Sequence, residues 1–297
     1  MAYTTLISVE QLQALLASGQ PCRVFDCSFD LTQPQAGAAQ YTEAHIPGAI
    51  YAHLDQHLSA AKDPATGKAA PGTATSGGRH PLPTRETFAA WLGSVGFDNR
   101  MQAVVYDRQG ANYCGRLWWM LKWAGHAKVA VLDGGPQPCP AAGGAIDRGP
   151  QEKVVATNYA LARELIELVA IETVANRLHH GASAAQTLID ARGAPRFRGE
   201  VEPLDPVAGH IPGALNRPFT ENIGPDGRFK PAEQLKAEFQ ALLGTRDPAG
   251  VVHHCGSGVS AVPNILAMEI AGLHGSSLFA GSWSEWCSDP SRPVAVG

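Results

Sequence analysis

The chain has 297 residues, of which 44% are hydrophobic and 17% are charged, and its formal net charge is −4. This composition is typical of a globular protein long enough for two cores, and it excludes a disordered chain. No basic stretch could follow a phosphate backbone and no apolar run has membrane-spanning length, so we expect neither nucleic acid nor a membrane as a partner.

The start of the chain and its cysteines indicate a compartment. Residues 1–16, MAYTTLISVEQLQALL, lack the basic segment and long apolar run of a secretory signal. Cys22 and Cys27 form a lone pair with no second pair nearby, which makes zinc a poor alternative. We expect free thiols in a reducing cytoplasm, no metal and no cofactor. The six cysteines stand at positions 22, 27, 114, 139, 255 and 287.

The predicted elements, taken in chain order, repeat themselves. The stretches at 44–49 and 209–214 lie 165 residues apart, whereas those that begin at 104 and 251 lie 147 apart. The first half therefore carries 18 extra residues between these two points (165 − 147). We assign these to the long Gly/Pro-rich loop at 57–83. The matching stretches are VFDCS (24–28) with LIDAR (188–192), AHIPGA (44–49) with GHIPGA (209–214), and VVYD (104–107) with VVHHC (251–255).

Strand and helix patterns alternate in each half. Apolar helices are predicted within 116–126 and 261–275, each following a matching strand and ending near a glycine. Such alternation is typical of a parallel sheet covered on both faces by helices. The segment 136–151 is rich in Pro and Gly, a composition typical of a linker between the halves.

The repeat predicts an α/β protein with two similar domains made by duplication. We place the domain bounds at 1–140 and 158–297, with the linker at 141–157.

The stretch VVHHCGSGVSA (251–261) places one cysteine where a predicted strand ends. Ligands of parallel sheets bind beyond the carboxyl ends of the strands. Gly256 and Gly258 let backbone N–H groups converge there, and a helix predicted from about Val259 adds partial positive charge. We therefore expect Cys255 to be stabilised as a reactive thiolate, and the other five cysteines to be packing residues.

His253 and His254 precede this cysteine in the predicted strand. Adjacent strand residues face opposite sides of a sheet, so both histidines cannot serve one site. We predict that they are packing and hydrogen-bonding residues.

These stretches, with LDGG (132–135) and GSWSEW (281–286), resemble a two-domain rhodanese-superfamily sulfurtransferase. The resemblance spans nearly the whole chain, and the CGSGVS loop is most similar to that of 3-mercaptopyruvate sulfurtransferases. It implies two tandem rhodanese-like domains of which only the C-terminal one is catalytic, because Asp107 stands at or next to the position that matches Cys255. The N-terminal domain is then expected to be an inactive wall of the cleft.

The resemblance also implies a ping-pong reaction. Cys255 takes a sulfur atom from 3-mercaptopyruvate, forming a persulfide, and passes it to a second thiol, such as thioredoxin, or to cyanide. The backbone-lined positions Cys255 to Ser260, including Gly256, Gly258 and Val259, would hold the outer sulfur.

A proton relay is implied by the same resemblance. It consists of Ser257, His80 and Asp55, in which a carboxylate orients a base that acts through a hydroxyl. Without the resemblance, Ser257 is a small loop residue, Asp55 caps a helix beginning near Gln56, and His80 is a surface histidine.

Arg196 matches the arginine that binds the donor anion, with Arg108 or Arg198 as helpers. The alternative for Arg196 is a surface ion pair with Glu200 or Glu202. A second family arginine is missing, because Leu204 or Asp205 stands in its place, which predicts a raised KM for mercaptopyruvate.

Two alternatives remain, a thiosulfate sulfurtransferase and a non-catalytic sulfur-binding module, whereas a Cys-dependent phosphatase is excluded. Thiosulfate-using rhodaneses carry Arg-Lys after the cysteine, where this chain has Gly-Ser. Phosphatases with a Cys-x5-Arg loop need an arginine at position 261, which is Ala261 here. A non-catalytic sulfur-binding module predicts a degraded loop, whereas Cys255 and its glycines are intact.

Overall fold

The computed structural model describes residues 2–136, 144–180 and 186–297, apart from the side chains of residues 177–180. Cys139 and part of the predicted linker lie outside the described residues, and the predicted domain bounds stay predictions. The described chain forms two compact units. One holds the described residues of Met1–Ser59, Thr84–Leu165 and Gly224–Phe229, the other those of Ala60–Pro83, Ile166–Ile223 and Lys230–Gly297.

The first unit is built on a parallel sheet with strand order β1-β5-β4-β2-β3. All five residues of its central strand, Gln102–Tyr106, are buried, as expected for a strand covered on both faces. Its described strands are β1 (Leu6–Ile7), β2 (Cys22–Asp26), β3 (Ile50–Tyr51), β4 (Gln102–Tyr106) and β5 (Val129–Leu132), and its described helices are α1 (Val9–Ala17), α2 (Ala36–Glu43), α3 (Arg85–Ser94) and α4 (Cys114–Trp123).

The second unit repeats this plan with strand order β7-β6-β8-β9, again parallel. A parallel bridge between Leu168 and Leu278 continues the sheet beyond β9. Its described strands are β6 (Thr187–Asp190), β7 (Leu215–Asn216), β8 (Val251–His254) and β9 (Ser277–Leu278), and its described helices are α5 (Ile171–His180), α6 (Ala194–Phe197), α7 (Ala232–Leu243), α8 (Val262–Ile270) and α9 (Ser282–Trp286).

The predicted α/β repeat is confirmed. VFDCS and LIDAR supply β2 and β6, and VVYD and VVHHC supply β4 and β8, in matching places of the two sheets. The segment 57–83 contains turns and isolated bridges but no helix or strand, as predicted for a long loop. Most of this segment, residues 60–83, belongs to the second unit.

The start of the helix after β8 was predicted wrongly. The helix begins at Val262, not near Val259. The N–H of Val262 donates to the carbonyl of Val259 at 3.1 Å, so residues 259–262 form a tight turn before the helix. Pro263 is the second helical residue, where its missing N–H costs no helical hydrogen bond.

No helix among the described residues is both long and apolar enough to cross a membrane.

Candidate active site

Cys255 directly follows the last residue of β8, at the carboxyl edge of the second sheet. It is only 2% exposed. The loop is fixed to α9 by its backbone: the N–H of Trp283 donates to the Cys255 carbonyl, and that of Ser284 to the Gly256 carbonyl, both at 2.9 Å. The Cys255 N–H donates to the hydroxyl of Ser282 at 3.1 Å. The sulfur is therefore carried by a loop with little freedom to move.

The two loop glycines are needed for close approach. A Cβ on Gly258 would lie 2.1 Å from the carbonyl oxygen of Ala280, and the positive φ of Gly258 also favours glycine. A Cβ on Gly256 would lie 3.1 Å from Nη2 of Arg79 and 3.5 Å from Nη1 of Arg196. The absence of a side chain at Gly256 thus leaves room for two guanidinium groups, and its absence at Gly258 leaves room for the backbone of Ala280.

The loop that follows β4 in the first unit matches the loop that holds Cys255, and it surrounds a carboxylate. There the Asp107 carboxylate is buried and accepts hydrogen bonds from four backbone N–H groups at 2.7–3.0 Å. Burial raises the pKa of Asp107 and the four hydrogen bonds oppose that shift. The loop thus gathers N–H groups around one acceptor. The donors are the N–H groups of Gln109, Ala111, Tyr113 and Cys114.

The repeat offset of 147 residues identifies the equivalent positions in the second unit. Asp107 matches His254, and Arg108 is the residue that matches Cys255. Ala111, with φ +64°, matches Gly258, with φ +73°, so the two loops share this unusual conformation. The four donors match the N–H groups of Gly256, Gly258, Ser260 and Ala261.

Two of the three predicted relay residues lie together in the second unit. Nδ1 of His80 and Oγ of Ser257 are 2.8 Å apart, and both side chains are buried. His80 is brought there by the segment 60–83, which docks on α9: the Arg79 N–H donates to Oγ of Ser284 at 2.9 Å. His80 is therefore not a surface residue.

Asp55 belongs to the first unit. It lies in a turn at 54–57 and not at the start of a helix, and its N–H donates to Nδ1 of His53 at 3.1 Å. Its place in the relay, and the role of the first domain as a wall of the cleft, stay predictions.

A cluster of charged side chains surrounds Arg196. Its guanidinium pairs with Glu202 at 2.6 Å and with Asp205 at 3.2 Å, and its side chain is 20% exposed. The predicted pair with Glu202 is confirmed, but it is mostly buried and not a surface pair. Asp205 also accepts from Arg79 at 2.5 Å. One carboxylate therefore joins two guanidinium groups beside the cysteine loop.

Arg192 completes this cluster from the end of β6. It pairs with Asp190 at 2.7 Å and with Glu202 at 3.3 Å. Burial opposes its charge, but Asp190, Glu202 and Cys255 together raise the pKa of Arg192.

Sequence reasoning missed Arg79, Arg192 and the bridging role of Asp205. The available signals were weak: Arg79 precedes His80, and Arg192 ends the LIDAR repeat.

The two helper arginines have partners of their own. Arg108, in the first unit, donates to Asp26 at 2.8 Å and also to Ser28 and the carbonyl of Ala44. Arg198 pairs with Glu200 at the surface. A donor-binding role for either arginine stays a prediction.

The two histidines of β8 are packing residues on opposite sides of the sheet. His253 contacts the sulfur of Met268 at 3.1 Å, whereas His254 lies 3.9 Å from Asp190. Burial lowers the pKa of His253 to about 3 and that of His254 to about 4, so both are neutral at pH 7.

The five cysteines in the described chain are all free thiols. Burial raises the pKa of Cys22 to about 11, and it also raises the pKa of Cys27, Cys114 and Cys287. These four therefore fit the packing role predicted for them, and Cys139 lies outside the described residues.

Comparison with known proteins places the chain in a family. The model of the rhodanese-like domain matches residues 8–137 and 171–289. A probable 3-mercaptopyruvate sulfurtransferase of Pseudomonas aeruginosa is 43% identical over 298 residues, covering 100% of both chains. A Mycobacterium tuberculosis protein provisionally named thiosulfate sulfurtransferase SseB is 37% identical, covering 98% of this chain and 97% of that protein.

A solved structure agrees with these relatives. The 3-mercaptopyruvate sulfurtransferase from Leishmania major superposes with a TM-score of 0.77 at 29% identity, over 96% of this chain and 74% of that one. The chain is therefore a two-domain sulfurtransferase of the rhodanese superfamily, and it resembles the 3-mercaptopyruvate sulfurtransferases.

Proposed function

We propose that this enzyme transfers sulfur from 3-mercaptopyruvate, through a persulfide on Cys255, to a thiol such as thioredoxin or to cyanide. The observation that carries the proposal is the contact between His80 and Ser257, of which Ser257 lies in the loop that holds Cys255. A hydroxyl and an imidazole at 2.8 Å form a path for a proton, and only some sulfur donors need one.

The first half-reaction joins the two sulfurs. The Cys255 thiolate attacks the thiol sulfur of mercaptopyruvate, an S–S bond forms and the C–S bond breaks, and its electron pair leaves with carbon as the enolate of pyruvate. The proton released by the donor thiol passes through Ser257 and His80 to the enolate carbon, which gives pyruvate. Cys255 is left with a negatively charged outer sulfur.

The loop backbone is suited to hold that outer sulfur. The equivalent N–H groups of the first unit surround the Asp107 carboxylate, which supports an anion-binding role for the loop of the second unit. In the second half-reaction an acceptor thiolate or cyanide attacks the outer sulfur, the S–S bond breaks, and the Cys255 thiolate is regenerated.

Thiosulfate is the second candidate donor. It would give the same persulfide and release sulfite, which needs no proton to leave. The two guanidinium groups beside Gly256 are the observation in its favour. We favour mercaptopyruvate because thiosulfate makes no use of the Ser257–His80 contact.

The test combines kinetics with intact-protein mass spectrometry. Incubation with mercaptopyruvate should add one sulfur atom to the protein, and Cys255→Ser should abolish both this adduct and turnover. Cys114→Ser and Cys287→Ser are matched controls and should keep activity within about threefold. Absence of an adduct with either donor would favour a non-catalytic sulfur-binding module, and thiosulfate turnover at least ten times better would reverse the order of the donors.

A further inference from the structure

The second unit contains a groove that the sulfur chemistry does not use. It is a cavity of about 340 Å³ lined by the segments 74–77 and 168–172, and Gly281 and Glu285 complete its lining. All of these residues belong to the second unit. The volume lies within the range of ligand sites in proteins, so the groove has room for a part of a partner molecule.

One side of the groove is a free edge of the sheet. Leu168 forms a parallel bridge with Leu278. The hydrogen bonds of this bridge come from the neighbours of Leu168: the Val169 N–H donates to the Leu278 carbonyl at 2.8 Å, and the Leu278 N–H donates to the Glu167 carbonyl at 3.1 Å. The N–H and carbonyl of Leu168 itself therefore point away from Leu278, and neither makes a hydrogen bond within the described residues. Such an edge is a template for one more strand.

The opposite side of the groove is held by its own hydrogen bonds. The Thr75 N–H donates to the Leu82 carbonyl at 2.8 Å, and the Thr75 hydroxyl donates to the Pro83 carbonyl at 3.2 Å. The Leu82 N–H donates to the hydroxyl of Ser76 at 2.9 Å. Because these polar groups are directed towards residues 82 and 83, the segment does not pair with the free edge at Leu168.

A carboxylate lines the groove beside Gly77. Oε1 of Glu285 accepts the Gly77 N–H at 3.2 Å, whereas Oε2 accepts no hydrogen bond within the described residues. The side chain occupies space that a Cβ on Gly77 or Gly281 would fill. Burial raises the pKa of Glu285, the Gly77 N–H and Arg292 oppose this shift, and the charge of Glu172 adds to it. A half-buried carboxylate oxygen without a donor is suited to accept from a cation.

We propose that this groove binds a short extended segment of a partner protein, whose backbone pairs with Leu168 and whose lysine or arginine side chain pairs with Glu285. Charge complementarity selects the basic side chain, since Glu172, in the first turn of α5, adds a second negative charge. Leu168 and Ile171 supply apolar surface for the neighbouring side chains of the segment. The inference is independent of the sulfur donor and of the proposed function.

Fluorescence anisotropy tests the charge. The probes are two labelled, end-blocked pentapeptides, Val-Thr-Lys-Thr-Val and the same peptide with Gln in place of Lys. The parent should bind the Lys peptide about tenfold more tightly. Glu285→Gln should remove this preference, because it loses the charge but keeps an acceptor for the Gly77 N–H. Glu233→Gln, at an exposed position of α7 outside the groove, is the control and should keep the preference.

Two results of this experiment would overturn the proposal. One is equal affinity of the parent for the two peptides, which would show that Glu285 does not select a cation. The other is no binding of the Lys peptide at millimolar concentration. Displacement of the peptide by an equal concentration of butylamine would also overturn it, because the groove would then be a site for a small amine.

Leu168→Pro tests the backbone pairing. Proline removes an N–H that makes no hydrogen bond within the described residues, so we expect the variant to fold, as prolines on sheet edges do. It should bind the Lys peptide about threefold or more weakly than Leu168→Ala, which also loses the side chain but keeps the N–H. Circular dichroism checks both folds. Equal binding by the two variants would overturn strand pairing.

A methylated peptide gives the same test without a variant. Methylation of the backbone nitrogens of the Lys peptide removes its donors to the Leu168 carbonyl, and the parent should bind it about threefold or more weakly. Undiminished binding would show that the side chain alone holds the peptide. A second copy of this chain is the competing occupant: a dimer of the parent that Glu285→Gln dissociates in sedimentation experiments would overturn the proposal, and an oligomeric state that Glu285→Gln leaves unchanged supports it.

Discussion

The backbone N–H of Cys255 donates to the hydroxyl of Ser282 at 3.1 Å, and that hydroxyl donates to the carbonyl of Phe279 at 3.0 Å. Ser282 has φ +56°, in the left-handed region. The matching residue of the first unit is Gly135, with φ +70°. Ser282 thus holds a conformation that costs a residue with a side chain about 1 kcal/mol. Its hydroxyl accepts the hydrogen bond from the Cys255 N–H, which a glycine at this position could not do.

We expect Ser282→Gly to lower kcat for sulfur transfer about fivefold or more with little change in Tm, since relief of strain offsets the lost hydrogen bond. Ser282→Ala should lose similar activity and also stability, because it keeps the strain without the hydroxyl. Steady-state kinetics and thermal unfolding measure both effects. Full activity in Ser282→Gly would contradict a positioning role for the hydroxyl.

His80→Asn should slow mercaptopyruvate turnover by roughly 100-fold, the usual scale for loss of general acid–base catalysis. Thiosulfate turnover should fall less, because sulfite leaves without a proton. Parallel kinetics with both donors on one protein preparation give the comparison. Equal losses for the two donors would make His80 a structural residue.

His254→Asp should place a carboxylate against the backbone N–H groups of the loop that follows β8. It places a carboxylate at the position of Asp107, where four backbone N–H groups of the first unit bind one. Persulfide formation should fall roughly 100-fold, since the carboxylate competes with the outer sulfur for the same donors. Mass spectrometry of the persulfide measures it, with circular dichroism to check folding.

His254→Asn is the control for this variant. It has similar size but no charge, and we expect it to lose much less activity. If the two variants lose persulfide formation equally, the loss is due to the missing histidine and not to competition by a carboxylate.

The Glu238 carboxylate links acid stability to an ion-pair cluster. It accepts from Arg217 at 2.7 Å and from Lys230 at 2.9 Å. Burial opposes its charge, but hydrogen bonds from Arg217, Lys230 and Gln234 lower its pKa to about 2. Its stabilisation is therefore present above the ordinary pKa near 4.5 and is lost as pH falls towards 2.

Glu238→Gln should accordingly lower Tm at pH 7 by about 2 °C, a small effect because solvent screens the pair. The difference from the parent should shrink as pH falls from 4.5 towards 2. Thermal unfolding of parent and variant across this pH range measures the difference in Tm. Glu200→Gln, which removes a charge from the surface pair with Arg198, is the control. A difference that stays constant with pH would show that charge is not its cause.

The sequence by itself determined where the strands of the repeat lie along the chain, and that a loop containing two glycines follows Cys255 at the end of β8. Short apolar stretches and the repeat locate β8 and its carboxyl end, and the glycines after Cys255 set the local backbone, because φ depends on the residue and its immediate neighbours. The contact between His80 and Ser257 was reached only through the family resemblance, since the two residues are far apart in the chain.

Only the tertiary structure decided what surrounds the sulfur. Arg79, Asp205 and Ser282 reach the loop from three separate segments, and no spacing in the chain brings their side chains to one point. In the sequence, Asp205 stands at or next to the position of a missing family arginine. In the fold, its carboxylate pairs with the guanidinium groups of both Arg79 and Arg196. Local backbone geometry follows from short-range sterics, whereas charge placement at a site depends on which distant segments pack together.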